Sequence, residues 1–234
     1  MSLNLDELAA QLEATKLPAF SDDALALRFA DAHGDKLRYI ALWNKWYRWT
    51  DKLWEQDTTL LAFDLARELC RQIAGEANEG GKGLASHKTV AAVVSLARAD
   101  RRLAATIDQW DETPWLLNTP DGTVDLRTGG MRSHNPADYI TKCTSISPGG
   151  QCPLWLGFLD RIMGGNAELT AFIKRVLGYC LTGLTREHAL FFLYGLGANG
   201  KSVLLNTIIG IIGEYHRTAP IEMLLASKHD RHPT

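Results

Sequence analysis

Eight consecutive residues carry the most specific chemistry in this sequence. Gly195-Leu196-Gly197-Ala198-Asn199-Gly200-Lys201-Ser202 fits GxxxxGK[ST], the Walker A phosphate loop (P-loop), at every fixed position. Glycines let the backbone bend without a Cβ clash, so that successive N–H groups turn inward toward phosphate oxygens. The lysine adds a point charge between the β- and γ-phosphates, and the serine hydroxyl completes the shell of a Mg²⁺ ion. Binding of ATP and Mg²⁺ therefore falls to Gly195, Gly197, Ala198, Asn199, Gly200, Lys201, Ser202 and Val203. Lys201 and Ser202 are the candidate catalytic residues, and Ser202 is the candidate Mg²⁺ ligand. Average residue usage would produce the four fixed positions in a chain of this length roughly 1% of the time. The surrounding elements decide the rest.

A phosphate loop is positioned by a buried strand before it and a helix after it. Residues 189–194, ALFFLY, are apolar without polar alternation, which predicts a strand buried on both faces of a parallel sheet. Lys201–Ile212 predicts the helix whose positive dipole end faces the phosphates. A P-loop ATPase also needs an acid on a second strand, a polar sensor and an arginine finger. After Ser202 the acids are Glu214, Glu222 and Asp230, and none follows an apolar strand. One strand and one helix cannot cover both faces of a sheet. The expectation is a truncated AAA+-type α/β core over residues 151–234 with a polar tail at 228–234. Such a chain alone binds nucleotide poorly and hydrolyses none.

Upstream, residues 1–20 read as an N-terminal helix and linker, and 21–150 as a mixed, helix-rich α+β accessory domain. Ser21-Asp22-Asp23 caps a helix over 24–32 that ends at Gly34. Aromatic-rich segments at 37–42, 45–50 and 52–55, separated by Asn44-Lys45 and Asp51-Lys52, predict a small antiparallel meander. Residues 58–76 and 90–110 predict helices, the first capped by Asp57 or Thr58. Residues 115–118, 122–126 and 139–143 predict short strands with tight turns between them. Two further helices follow at 154–163 and 167–182.

The 234 residues carry a net charge of −2, so no global basic field announces a nucleic-acid partner, though a local groove can concentrate positive charge. The N-terminus lacks the basic and apolar regions of a signal peptide, and no apolar stretch is long enough to span a bilayer. A cytoplasmic protein without membrane contact is expected. Cys70, Cys143, Cys152 and Cys180 form no CxxC pair and read as free thiols.

LYGLGANGKSVLLN, from Leu193 to Asn206, resembles the helicase of the phage and plasmid primase-helicases, superfamily 3 enzymes related to those of large DNA viruses. Asn199 before Gly200-Lys201-Ser202, the run FIKRVLGYCLT from Phe172, and Gly213-Glu214-Tyr215 followed by Thr218 to Glu222 share the likeness. More diffuse similarity reaches upstream through His33-Gly34-Asp35, Leu37-Arg38-Tyr39, Trp43, Trp46, Asn118 to Gly122 and Asp125 to Gly129. The resemblance implies a hexamer-like ring that moves along single-stranded or forked DNA using ATP, often with a primase. A P-loop enzyme of another class, such as a small-molecule kinase, and a non-catalytic DNA- or protein-binding module left by truncation are the alternatives.

Other chemistry-bearing groups have plainer readings. Trp43, Trp46, Trp49 and Trp54 beside Lys45, Arg48 and Lys52 could stack bases, but a small sheet needs large side chains to build any core. Arg98, Arg101 and Arg102 read as a solvated or ion-paired face. His229 and His232 read as part of a polar tail rather than a metal site.

Overall fold

A computed structural model describes residues 18–77 and 81–224. The helix expected before Pro18, the start of the glycine-rich loop at 78–83, and His229 and His232 lie outside the described residues. Among those described, six α-helices and two sheets form a mixed α/β protein. The chain divides into two compact units, Met1–Glu112 with Asn135–Thr141, and Thr113–His134 with Lys142–Thr234.

In the first unit, α1 spans Asp22–His33, and the Ser21 hydroxyl accepts from Ala24 N–H at 3.2 Å. Asp22 and Asp23 complement the dipole in its first turn, and Leu25, Ala26, Phe29 and Ala30 form its buried stripe. The expected meander is present as β1 Leu37–Ile40, β2 Lys45–Trp49 and β3 Trp54–Gln56, all antiparallel. Asn44 (φ 52°) and Asp51 (φ 67°) take the left-handed turn positions, which Asn and Asp tolerate best after glycine. Helix α2, Leu61–Glu76, begins after Leu60 at φ 61°, and Asp57 supplies its cap through Leu61 N–H at 2.7 Å. Helix α3, His87–Ala97, is capped by Ser86. Leu25, Phe29, Ala66, Cys70, Ile73, Val90, Val93 and Ala97 join in one core.

The helix expected over 90–110 stops at Ala97. The Asp100 side chain accepts from Arg102 N–H at 2.9 Å, turning the chain, and Ala104–Ala105 pairs in parallel with β1 as β4. A ladder position beside β1 outweighs the helix propensity of an alanine-rich stretch. The strand expected at 139–143 does not form either. Pro136–Asp138 is a 3₁₀ turn and Tyr139 takes φ 50°, which breaks extended pairing. Single hydrogen bonds hold this segment instead, from Trp54 N–H to Ile140 O at 2.9 Å and from Thr141 N–H to Asp111 at 2.8 Å.

The second unit opens with β5 Leu116–Thr119, β6 Gly122–Asp125 and β7 Met131–Arg132, an antiparallel sheet in chain order. A Cβ at Gly122 would sit 2.5 Å from Arg132 O, so this strand start admits only glycine. Helices α4 Pro153–Ile162, α5 Ala167–Cys180 and α6 Lys201–Ile212 follow. The strand expected at 189–194 is absent. The segment has no ladder partner among the described residues, and Leu190, Phe192 and Tyr194 are about four-fifths exposed (79%, 80% and 84%). A parallel strand exists only beside neighbours that satisfy its N–H and C=O groups. Of the elements expected around residues 195–202, the described residues hold the following helix, α6, and not the preceding strand.

Candidate phosphate-binding loop

The loop at 195–202 bends where its sequence allows. Gly195 has φ 144°, Ala198 φ 60° and Gly200 φ 85°. A Cβ on Gly195 would lie 2.6 Å from Asn199 Nδ2, and one on Gly200 would lie 2.6 Å from Ile162 Cγ2 and 3.3 Å from the Phe158 ring. Positive φ favours glycine at both positions, and at Gly200 the Ile162 and Phe158 side chains also leave no room for a Cβ. Gly197 has open space on every side and no such requirement. Gly200 caps α6 without a side chain, so no side-chain oxygen closes the helix start that the loop faces. The Lys201 ammonium donates to Asn199 Oδ1 at 2.7 Å and Gly195 O at 3.1 Å, which ties the loop around the charge. Ser202 and Val203 are exposed in the first turn of α6, while Leu204 anchors the helix at 4% exposure. A cradle that a Cβ would fill, a helix start without a side-chain cap and a lysine at its mouth fit a phosphate group.

Of the acids downstream of Ser202, Glu214 has a different task. Its carboxylate accepts from Cys143 N–H at 2.8 Å, and its own N–H donates to Cys143 O at 3.2 Å. It belongs to a clasp between the end of α6 and β5. Ser145 N–H donates to Ile211 O at 3.0 Å. The Tyr215 hydroxyl accepts from Asn118 N–H at 3.0 Å and donates to Lys142 O at 3.3 Å. Asn118, fully buried in β5, takes Thr123 Oγ1 on its Oδ1 at 3.1 Å, sends its Nδ2 to Lys142 O at 3.2 Å, and accepts Thr144 N–H on its backbone oxygen at 2.9 Å. Gly213 fits against this segment because a Cβ there would lie 2.8 Å from Ser145 Oγ. The clasp holds the phosphate-loop helix to a sheet built from residues about ninety positions upstream. Motif reasoning on the loop alone misses these positioning residues.

Packing and ion pairs engage several of the other candidates. Trp54 is fully buried, its Nε1 donates to Pro136 O at 2.9 Å, and its ring packs 5.9 Å from Trp110. Trp46 and Trp49 are half-buried, and Trp43 remains exposed. Arg38 lies 5.0 Å over the Trp54 ring. Arg48 pairs with Glu55 at 3.0 Å, Arg102 pairs with Asp31 and Asp100, and Arg98 lies 5.1 Å over Tyr39. None of the four cysteines is in a disulfide, and burial pushes the Cys70 thiol up from its ordinary value. Among the described residues no helix is long and apolar enough to cross a membrane.

Comparison with known proteins places this architecture. The chain is 30% identical over 120 residues to the protein named "Putative helicase L207/L206" of Acanthamoeba polyphaga mimivirus, a match covering 49% of this chain and 12% of that one. The chain thus spans about an eighth of that relative. The family described as D5 N terminal like matches residues 26–164, more than half of the sequence, and the chain belongs to that family.

Proposed function

We propose that this chain supplies an accessory domain at 21–150 and the start of the motor, at 151–234, of an ATP-driven DNA helicase serving phage, plasmid or viral replication. The observation that carries the reading is the loop at 195–202, where Gly195 and Gly200 at positive φ, the Lys201 ammonium folded onto the loop and the start of α6 without a side-chain cap lie together. Lys201 would exchange its bonds to Asn199 and Gly195 for phosphate oxygens, and the backbone N–H groups at the start of α6 would orient them. Ser202 would hold Mg²⁺, which when bound neutralises charge on the phosphates. Hydrolysis by such a motor would also need an acid on a second strand, a polar sensor and an arginine finger. Working partners would be single-stranded or forked DNA, further copies in a hexamer-like ring, and a primase.

The test is ATP hydrolysis by the complete polypeptide with and without single-stranded DNA. Stimulation by the strand is expected. Hydrolysis indifferent to DNA but stimulated by a small-molecule acceptor would replace the helicase with a metabolite kinase.

A further inference from the structure

Away from the phosphate loop, a cleft of about 170 Å³ opens in the first unit between α2 and the start of α3. Phe63, Arg67, Arg71, Ala85, His87 and Val90 line it. Phe63, Arg67 and Arg71 recur every fourth residue along α2, so they share one helix face. His87, the first residue of α3, brings its ring to 6.1 Å from Phe63 at 45°. The walls are well held. Val90 is 2% exposed, and Phe63 packs against the buried core of the unit. Ser86 accepts from Thr89 N–H at 3.2 Å while the Thr89 hydroxyl donates to Gly83 O at 3.1 Å, which fixes the approach to α3. Arg67 reaches Asp64 at 3.2 Å, an exposed pair of small energetic weight that a stronger anion can replace.

Two guanidinium forks and two ring faces in one cleft are the parts of a single-strand binding surface, in which cations track the backbone and rings take the bases. The size of the cleft selects among phosphate ligands. Small-molecule sites run to about 300–1,000 Å³, and a volume near 170 Å³ takes in only part of a nucleotide, so a strand would place a base in the cleft while its backbone runs past the exposed Arg67 and Arg71 at the rim. A duplex keeps its base faces stacked and cannot offer one to Phe63. We propose that this cleft is a contact for single-stranded DNA, with Arg67 and Arg71 on backbone phosphates and a base against Phe63 and His87. The proposal rests on the helicase reading and gives the accessory domain a direct part in holding the strand.

The experiment is fluorescence anisotropy of a labelled oligothymidylate against the 234-residue chain over a salt series. The double variant R67A/R71A changes only exposed side chains. It should bind at least about tenfold more weakly, and the slope of log affinity against log salt should flatten by about 1.4, at 0.7 for each single-strand phosphate contact. Phe63→Leu, which keeps an apolar wall, should weaken binding roughly tenfold with the slope unchanged. Inorganic phosphate at equal phosphate concentration should compete far less than the unlabelled strand. The proposal is overturned by any of four results: no binding of oligothymidylate by the wild type, wild-type affinity and slope in R67A/R71A, equal affinity for a duplex, or equal competition by free phosphate. Nucleotide titrations of Lys201→Ala run in parallel separate the two ideas. A failure of the phosphate loop appears there, and a failure of the cleft appears only in the strand measurements.

Discussion

Replacing Asn118 with alanine tests whether the clasp, and not the apolar residues around it, holds α6 to the sheet. Asn118 is fully buried, and its side chain bonds both the Thr123 hydroxyl and Lys142 O. Alanine leaves Thr123, itself 1% exposed, without the acceptor for its hydroxyl proton. An orphaned buried donor costs about 1–3 kcal/mol, and the small cavity left by the amide adds about 1 kcal/mol. The sum is a loss of about 2–4 kcal/mol, or roughly 30- to 800-fold in an opening equilibrium. Hydrogen exchange reads this locally. The amides of Asn118, Thr144, Ser145 and Glu214, each bonded within the clasp, should exchange faster by that factor. Amides of Tyr39 and Trp49, bonded in the first unit, should keep their rates. Unchanged exchange at Thr144 and Ser145, or equal acceleration in both units, would refute the reasoning.

Other outcomes follow from the same geometry. Gly195→Ala should weaken nucleotide binding strongly while leaving the unfolding temperature near that of the wild type, because an alanine at φ 144° strains the loop and displaces the Asn199 amide in an exposed segment and not in a core. Retained affinity in a titration with a fluorescent nucleotide would contradict it. Leu60→Gly should stabilise the first unit by about 0.5–1 kcal/mol in urea unfolding, since an exposed leucine at φ 61° gains nothing from its side chain and strains its backbone. Burial holds His33 below its ordinary value of 6.5, against an opposing pull from Glu68. The folded state therefore takes up its proton later than the unfolded chain as pH falls. Stability is full above pH 6.5 and declines below it until the folded histidine also titrates. His33→Gln should flatten that decline, and an unchanged profile from pH 7 to pH 5 would exclude the assignment.

Elements that announce themselves through local chemistry were legible in the sequence. Ser21 and Asp57 are short polar side chains that bond helix-start N–H groups, and Asn44 and Asp51 occupy the left-handed turns of the meander. The GxxxxGK[ST] spacing at 195–202 stands out in the sequence because glycine, lysine and serine have few substitutes for holding phosphate, and that it does so here is the proposal tested below. What stayed hidden depends on distant partners. Residues 98–105 have helical composition but lie beside β1, where Ala104 and Ala105 complete a ladder that local propensity does not reveal. Residues 139–143 look like a strand, yet Tyr139 turns with φ 50° and spends its ring on Trp54 and Trp110. Residues 189–194 have the composition of a central strand, but composition cannot supply the neighbours that make one. The clasp was invisible for a related reason, since Asn118 and Tyr215 meet only when the fold brings them together.

The most direct test of the central claim is nucleotide binding by this chain, wild type against Lys201→Ala, with and without Mg²⁺. Lys201 is tied only to loop atoms, so its removal leaves the buried anchor Leu204 and the clasp in place. The account predicts weak, Mg²⁺-dependent binding of ATP that disappears in Lys201→Ala while hydrogen exchange at the clasp is unaltered. Equal ATP affinity in the two proteins would mean that the loop at 195–202 does not hold the phosphates, and the reading of this chain as part of a motor would fall with it.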